Sequence, residues 1–320
     1  MSARRERAPT SPVRVGTRGS ALARSQTSLV TAGIVGELGR KVETVEIVTA
    51  GDRSSAAVTE MGGTGVFVSA LRDALLAGEI DVAVHSYKDL PTAPAAGLAI
   101  AAVPAREDPR DVLVARDGLT LGELPRGATV GTGSPRRAAQ LRALGLGLEV
   151  VDVRGNVDTR LRMVSEGRLD AVLLARAGLA RLGRLDTVSE VLDPLQMLPA
   201  PGQGALAVEC RSGDTATAEL LGSLDDAVTR LAVTAERTLL AELEAGCSAP
   251  VGAYGEAAEP EPDEHVMQLY LRAVVSAVDG SASVRLSATG PLDEAARIGR
   301  GLATELLAEG AADLMLERVQ

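Results

Sequence analysis

Two stretches, Val15-Gly16-Thr17-Arg18-Gly19-Ser20 and Val130-Gly131-Thr132-Gly133-Ser134-Pro135, each lead an apolar run through Gly-Thr and a serine into a segment of helical periodicity. A strand, a tight junction and a serine-capped helix therefore open two units of the same kind. In the first unit, strands are predicted over 13–17 and 42–49 and a helix over 20–38. Gly62-Gly63-Thr64-Gly65 is too glycine-rich for regular structure, and a helix over about 66–77 follows it. The next apolar strand runs into His85-Ser86-Tyr87-Lys88-Asp89-Leu90-Pro91. The second unit predicts strands at 111–115, 129–132, 149–153 and 171–174, with helices at 134–144 and 156–166. Alternation of this kind predicts an α/β fold, with mostly parallel sheets covered by helices on both faces.

Beyond residue 198 the run Pro199-Ala200-Pro201-Gly202-Gln203-Gly204 must be irregular, and it leads into a strand over 205–209 that Cys210 closes as a small hydrophobe. A long helix at 225–244 ends before a glycine-flanked turn holding Cys247. Strands at 267–275 and 283–288 and helices at 293–307 and 311–319 then predict a small α+β domain. The run Glu256 to Glu264, with His265 at its edge, reads as a solvated loop. A chain of 320 residues exceeds what one core usually supports, so several domains are expected. The first dozen residues hold three arginines and no apolar run, which predicts a disordered tail and no secretory signal. With no span of about 18 apolar residues and only two cysteines, too few for a disulfide framework, a cytoplasmic protein is the default expectation.

The chemistry points to an anion. In open α/β sheets ligands bind beyond the carboxyl ends of the strands, which puts Lys88 and Asp89 at the rim of such a site. Among 33 basic residues only Lys41 and Lys88 are lysines, so a lysine here is unlike the general surface cation. Free backbone N–H groups at the two serine-capped helix starts favour a carboxylate or phosphate. Arg136 and Arg137 sit in a first turn, where the helix dipole disfavours cations; an anion there relieves the conflict, while ordinary capping leaves it standing. Val153-Arg154-Gly155-Asn156-Val157-Asp158-Thr159-Arg160 repeats the design at the next junction, with Asn156 as cap. The net charge of -10 resides in residues 205–320, which carry 8 basic and 20 acidic groups, so cations remain available upstream while the whole chain repels polyanions. An aromatic content of 1% leaves little surface for stacking bases, so nucleic acid is not an expected ligand. The two histidines and two cysteines lack metal-ligand spacing, and no metal is expected.

Taken in order and spacing, Gly16-Thr17-Arg18-Gly19-Ser20, His85-Ser86-Tyr87-Lys88-Asp89-Leu90-Pro91, Glu107-Asp108-Pro109-Arg110-Asp111, Arg136-Arg137, Arg154-Gly155-Asn156, Thr159-Arg160-Leu161, Gly202-Gln203-Gly204-Ala205 and Glu244-Ala245-Gly246-Cys247 resemble the porphobilinogen deaminase (hydroxymethylbilane synthase) family. The resemblance implies two lobes like those of periplasmic binding proteins plus a C-terminal α+β domain. Lobe 1 would span 13–104, with 203–222 returning to it; lobe 2 would span 110–198, the C-terminal domain 227–320, and 1–12 would be the tail. It also implies a transferase that joins four porphobilinogen molecules into a linear tetrapyrrole and releases ammonia. The primer of such an enzyme is a dipyrromethane cofactor held covalently, here on Cys247. Asp89 is then the catalytic carboxylate, with Lys88 beside it. Arg136, Arg137, Arg154, Lys88, Ser134 and Thr132 would hold the cofactor, and Arg18, Ser20, Arg154, Arg160, Gln203 and Phe67 the substrate.

Further implications are a monomer without nucleic-acid or membrane partners and hand-over of the product to a uroporphyrinogen-III synthase. Three departures accompany the resemblance: Glu60 and Thr64 stand where lysines flank the glycine loop, Tyr87 where methionine is common, and Gly133 where serine is common. Phe67 either stacks on a pyrrole or fills the core, and core packing is favoured. The alternative reading is a two-lobed, non-catalytic binding protein for a small carboxylate. Asp89, Cys247 and the missing secretion signal stand against it.

Overall fold

The computed structural model describes residues 11–47, 65–245, 249–258 and 266–316. Its strands are β1 (Val13–Thr17), β2 (Val42–Glu46), β3 (Val82–Ser86), β4 (Leu98–Ala102), β5 (Asp111–Ala115), β6 (Thr129–Gly131), β7 (Glu149–Val151), β8 (Ala171–Ala175), β9 (Glu190–Val191), β10 (Leu206–Arg211), β11 (Val251–Ala258), β12 (Gln268–Ser276) and β13 (Ser283–Pro291). The chain divides into two units. One holds the residues up to His85 with Pro94–Pro104 and Leu206–Asp225; the other holds Ser86–Ala93, Ala105–Ala205 and the residues from Asp226 onward.

The sheet of the first unit has the order β2-β1-β3-β10-β4. β1 pairs in parallel with β2 and β3, and β10 pairs antiparallel with β4. Successive side chains of a strand face opposite ways, and here both faces are buried. Val13, Val15, Val82 and Val84 pack with Val30 and Ile34 of the helix Ala21–Gly36, while Ala83 packs on Leu71 and Leu75 of the helix Gly65–Leu76. Each fully buried leucine or valine contributes about 1.5 to 3 kcal/mol.

The second unit contains a sheet of the same pattern, β7-β6-β8-β5-β9. β6 is parallel to β7 and β8, while β5 is antiparallel to β8 and to β9. β5 alone therefore runs against its neighbours. All five residues of β5 are buried, with Leu113 and Ala115 toward one core and Val112 and Val114 toward the other. In the first sheet the strand in fourth place, β10, comes from a distant part of the chain; in the second it is β5, the first strand of the local run. The same unit carries an antiparallel sheet, β11-β12-β13, packed on the helices Ala227–Glu242 and Ala295–Ala308 around Leu239, Leu271 and Leu302. The observed class is α/β with a C-terminal α+β portion.

Several elements depart from the sequence expectation. β10 extends to Arg211, so Cys210 lies inside the strand and is buried. β11 was not foreseen and takes in Glu256, which the expectation had put in a solvated loop. Its two glycines obscure the strand pattern, and both are places of close approach: a Cβ on Gly252 would stand 2.9 Å from the Leu198 carbonyl oxygen, and one on Gly255 would stand 3.0 Å from that of Ala232. β4, β9 and the helices Arg176–Arg181 and Thr215–Gly222 were also not foreseen. Glu60, Thr64, Cys247 and His265, and the side chain of Phe67, lie outside the described residues.

Candidate active site

The three predicted caps are formed. Ser20, Ser134 and Asn156 accept from the backbone N–H of Ala23, Arg137 and Thr159 at 3.2, 3.4 and 2.9 Å. Thr132 Oγ1 in turn accepts from Ser134 N at 3.2 Å. Thr132 and Ser134 are thus both acceptors in these bonds, and each hydroxyl keeps its own proton to donate.

The arginine pair behind Ser134 meets an anion, and that anion belongs to the protein. Asp111, the first residue of β5, is fully buried. Arg137 donates to its Oδ1 from Nε and Nη2, at 3.0 and 2.8 Å. Arg136 Nη2 stands 2.7 Å from Oδ2. Burial alone would raise the Asp111 pKa, but the two guanidinium groups and hydrogen bonds from Arg137 and Gln203 outweigh it and hold the carboxyl far below its usual range. Arg136 also donates from Nη1 to the Leu198 carbonyl. Its buried Nε has no hydrogen-bond partner among the described residues.

Gln203 extends this cluster to the rim. Its Nε2 donates to Asp111 Oδ1 at 2.8 Å and to the Pro109 carbonyl at 2.6 Å, while its Oε1 accepts from Lys88 Nζ at 3.1 Å. Burial lowers the Lys88 pKa to about 8, with the positive charge of Arg137 acting in the same direction and Asp89 and Asp111 opposing. Lys88 and Asp89 occupy a short 3-10 turn, Tyr87–Asp89, at the end of β3. The Asp89 carboxylate has no hydrogen-bond or ion-pair partner among the described residues. It is an acceptor left open within the field of the Lys88 ammonium.

The glycines around Gln203 let its loop close on that turn. Gly202 has φ +76°, and a Cβ on it would lie 3.3 Å from Lys88 N. Gly204 has φ +87°, and a Cβ on it would lie 2.2 Å from the Glu107 carbonyl oxygen, so no other residue fits there. Glu236, wholly buried, takes Gly202 N at 2.6 Å and Gly255 N at 2.8 Å. It also forms a two-pronged pair with Arg106 at 2.6 and 3.0 Å, and Arg106 Nε donates to the Gln203 carbonyl. Arg181 donates to the Gly204 carbonyl at 2.6 Å.

The structure thus gathers Lys88, Asp89, Arg136, Arg137, Thr132, Ser134 and Gln203. Arg160 lies close by; burial and the charges of Arg137 and Arg154 lower its pKa. Arg154 is exposed and paired with Asp152 at 3.1 Å. Arg18 and Ser20 belong to the first unit, and Cys247 is outside the described residues. Asp111, Glu236, Arg106 and Arg237 were given no role from sequence. Glu236 had a signal: it lies four residues after Ala232 and three before Leu239, on the buried face of its helix. Among the described residues no helix is long and apolar enough to cross a membrane, and no His, Cys, Asp and Glu cluster has metal-holding geometry.

Fold and site together define an α/β protein in which buried arginines, a lysine and an aspartate with no partner among the described residues share one cluster. Residues 13–219 match the family described as "Porphobilinogen deaminase, dipyromethane cofactor binding domain", and residues 230–308 match its C-terminal domain. A porphobilinogen deaminase of Nocardia farcinica is 60% identical over 308 residues, covering 96% of this chain and 88% of that one. One from Mycobacterium tuberculosis is 59% identical over 305 residues, covering 95% and 98%. The crystal structure of the methionine binding protein MetQ covers 66% of this chain and 89% of its own, with 12% identity and a TM-score of 0.43. This chain belongs to the porphobilinogen deaminase family.

Proposed function

We infer that the chain is a hydroxymethylbilane synthase. It joins four porphobilinogen molecules head to tail on a dipyrromethane primer, releasing ammonia at each addition, and frees the linear tetrapyrrole. The observation that carries this reading is the open Asp89 carboxylate near Lys88, which in turn lies in the field of Arg136 and Arg137, in a chain that matches both domains of the family. A carboxylate-binding protein without activity would have the arginines but no use for an unpartnered aspartate.

The residues present fit a dipyrromethane. Its acetate and propionate groups need charge-assisted donors, and the buried Arg136 Nε, the free protons of Thr132 and Ser134, and Lys88 Nζ are such donors. When bound, the primer would supply the pyrrole carbon to which the first aminomethyl carbon is joined, each later unit adding to the ring before it. Lys88, Arg136, Arg137, Arg154, Thr132 and Ser134 hold its carboxylates, and Arg18, Ser20, Arg160, Gln203 and Phe67 serve the substrate. As ammonia leaves porphobilinogen, positive charge develops on the substrate pyrrole. Asp89, fixed and negative, stabilises that charge, and a neutral side chain would not. Cys247 is the attachment point: a thiolate is strongly nucleophilic, whereas a serine hydroxyl needs a partnering base. The protein works as a cytoplasmic monomer and hands its product to a uroporphyrinogen-III synthase.

Intact-mass measurement tests this. The purified protein is expected to exceed its chain mass by one dipyrromethane, with peptide mapping placing the addition on Cys247 and not on Cys210. Cys247→Ser is expected to be isolated without it. A wild-type chain that stays unmodified after incubation with porphobilinogen would sink the reading.

A further inference from the structure

Among the described residues nothing grips the Asp89 carboxylate, so its position is set by the backbone of the turn that carries it. A side chain from a neighbouring helix holds that backbone. Arg237, on the helix Ala227–Glu242, donates from Nη1 to the carbonyl oxygens of Tyr87 and Leu90, at 3.1 and 3.0 Å, and from Nη2 to that of Pro91 at 2.7 Å. These carbonyls lie on both sides of Lys88 and Asp89. The guanidinium carbon also sits 4.5 Å from the centroid of the Tyr87 ring, within cation–π range. A 3-10 turn has poor hydrogen-bond geometry of its own. This one is closed by Leu90 N to Tyr87 O at 3.2 Å and tied to its surroundings by Tyr87 N to Ala205 O at 3.0 Å.

We propose that Arg237, seated on the Tyr87 ring, is a positioning residue that fixes Asp89 against the reacting pyrrole. The proposal rests on the reading of Asp89 as the charge-stabilising carboxylate. A planar guanidinium bonds three carbonyls in a fixed fork, whereas a lysine presents a point charge that holds them less rigidly. The ring of Tyr87 adds an aromatic face beneath that fork, which gives the departure from methionine at this position a physical role. The preceding residue, Glu236, holds Gly202 N. Consecutive residues of one helix therefore steady the two loops between which Lys88 and Gln203 are bonded.

The test is a kinetic cycle on primer-loaded protein. Arg237→Ala, Arg237→Lys and Tyr87→Met are each measured alone and combined with Asp89→Asn, with primer content checked by intact mass. Arg237→Ala is expected to lower kcat about 10- to 100-fold, the scale for a catalytic group displaced by about an ångström, while KM stays within about twofold. Arg237→Lys is expected to recover part of the loss and Tyr87→Met to cost about 2- to 5-fold, as a cation–π contact does. In the Asp89→Asn background each substitution is expected to cost less than about twofold, because the group it positions has gone. Equal losses in both backgrounds, or a rise in KM with kcat unchanged, overturn the proposal. The Arg237→Lys pair completes the cycle by itself if the alanine variant does not fold. Failure of the Asp89 reading is distinguishable, because it shows as near-parental kcat in the Asp89→Asn single variant.

Discussion

In both five-stranded sheets the fourth strand carries a buried acidic residue, and the surroundings of the two carboxylates differ. Glu209, on β10, is clasped by Arg72 through two bonds of 3.0 and 2.7 Å, and His85 Nε2 stands 3.1 Å away. Burial would raise its pKa, but hydrogen bonds from His85 and Arg72 lower it to about 2. The strand has a register irregularity at Val208/Glu209, a feature that turns a side chain out of the regular pleat. That cluster is closed, with both carboxylate oxygens paired. Asp111, on β5, instead faces two arginines, and Gln203 carries the network on to Lys88, the residue before the open Asp89. Lys88, Arg136 and Arg137 are three cations in a cluster whose acids are Asp111 and Asp89. The local charge balance is positive, which supports the proposal that one buried acid serves the fold and the other a site.

The largest effect is expected from removing each of these acids in turn. Asp111→Asn and Glu209→Gln each leave buried guanidinium groups without their counter-charge, a loss of about 3 to 5 kcal/mol that a denaturant or thermal melt would record. The comparison predicts a divergence beyond stability. At a temperature where both variants are folded, Glu209→Gln is expected to carry the primer mass and Asp111→Asn to lack it. Equal loading of the two would erase the distinction between a structural and a functional acid.

Next in size is Asp89→Asn, which keeps a hydrogen-bonding side chain but removes the fixed charge. Turnover is expected to fall on the order of 10²-fold or more, the scale of lost electrostatic stabilisation. Folding and primer attachment should persist, since the carboxylate has no bonding partner to lose among the described residues. Near-parental turnover would take Asp89 out of the chemistry and leave the cluster around Asp111 with a binding role alone.

Local features were legible and long-range partners were not. Ser20, Ser134 and Asn156 announce helix starts because a capping oxygen bonds a backbone N–H only three residues away. β5 declares itself as a run of apolar residues buried on both faces. The conflict of Arg136 and Arg137 with their helix dipole was visible too, and it called for an anion. The identity of that anion was hidden, because Asp111 stands 26 residues from Arg137 and only tertiary packing brings them together. Arg237 gave no sign at all: a half-buried arginine on a long helix looks the same in sequence whether it faces water or three carbonyls. β11 was hidden by glycines that tertiary contacts require.

The smallest expected effect is a pH dependence confined to the second cluster. Lys88, lowered to about 8 chiefly by burial, is charged below that pH and loses its proton above it. Glu209, at about 2, stays ionised throughout this range. A carboxylate bound at Lys88 favours the protonated lysine, so occupancy raises its pKa and, by linkage, deprotonation weakens occupancy. Loading of primer-free protein, followed by intact mass from about pH 7 to about pH 10, is therefore expected to decline along a limb near pH 8. In loaded protein the corresponding limb in kcat/KM should lie at higher pH, because the bound carboxylates hold the proton on. Lys88→Arg keeps the charge across the whole range and should flatten the loading profile, even if the poorer fit at Gln203 costs some affinity. A limb near pH 8 that survives Lys88→Arg would assign the titration to another group and leave Lys88 as a fixed cation like its arginine neighbours.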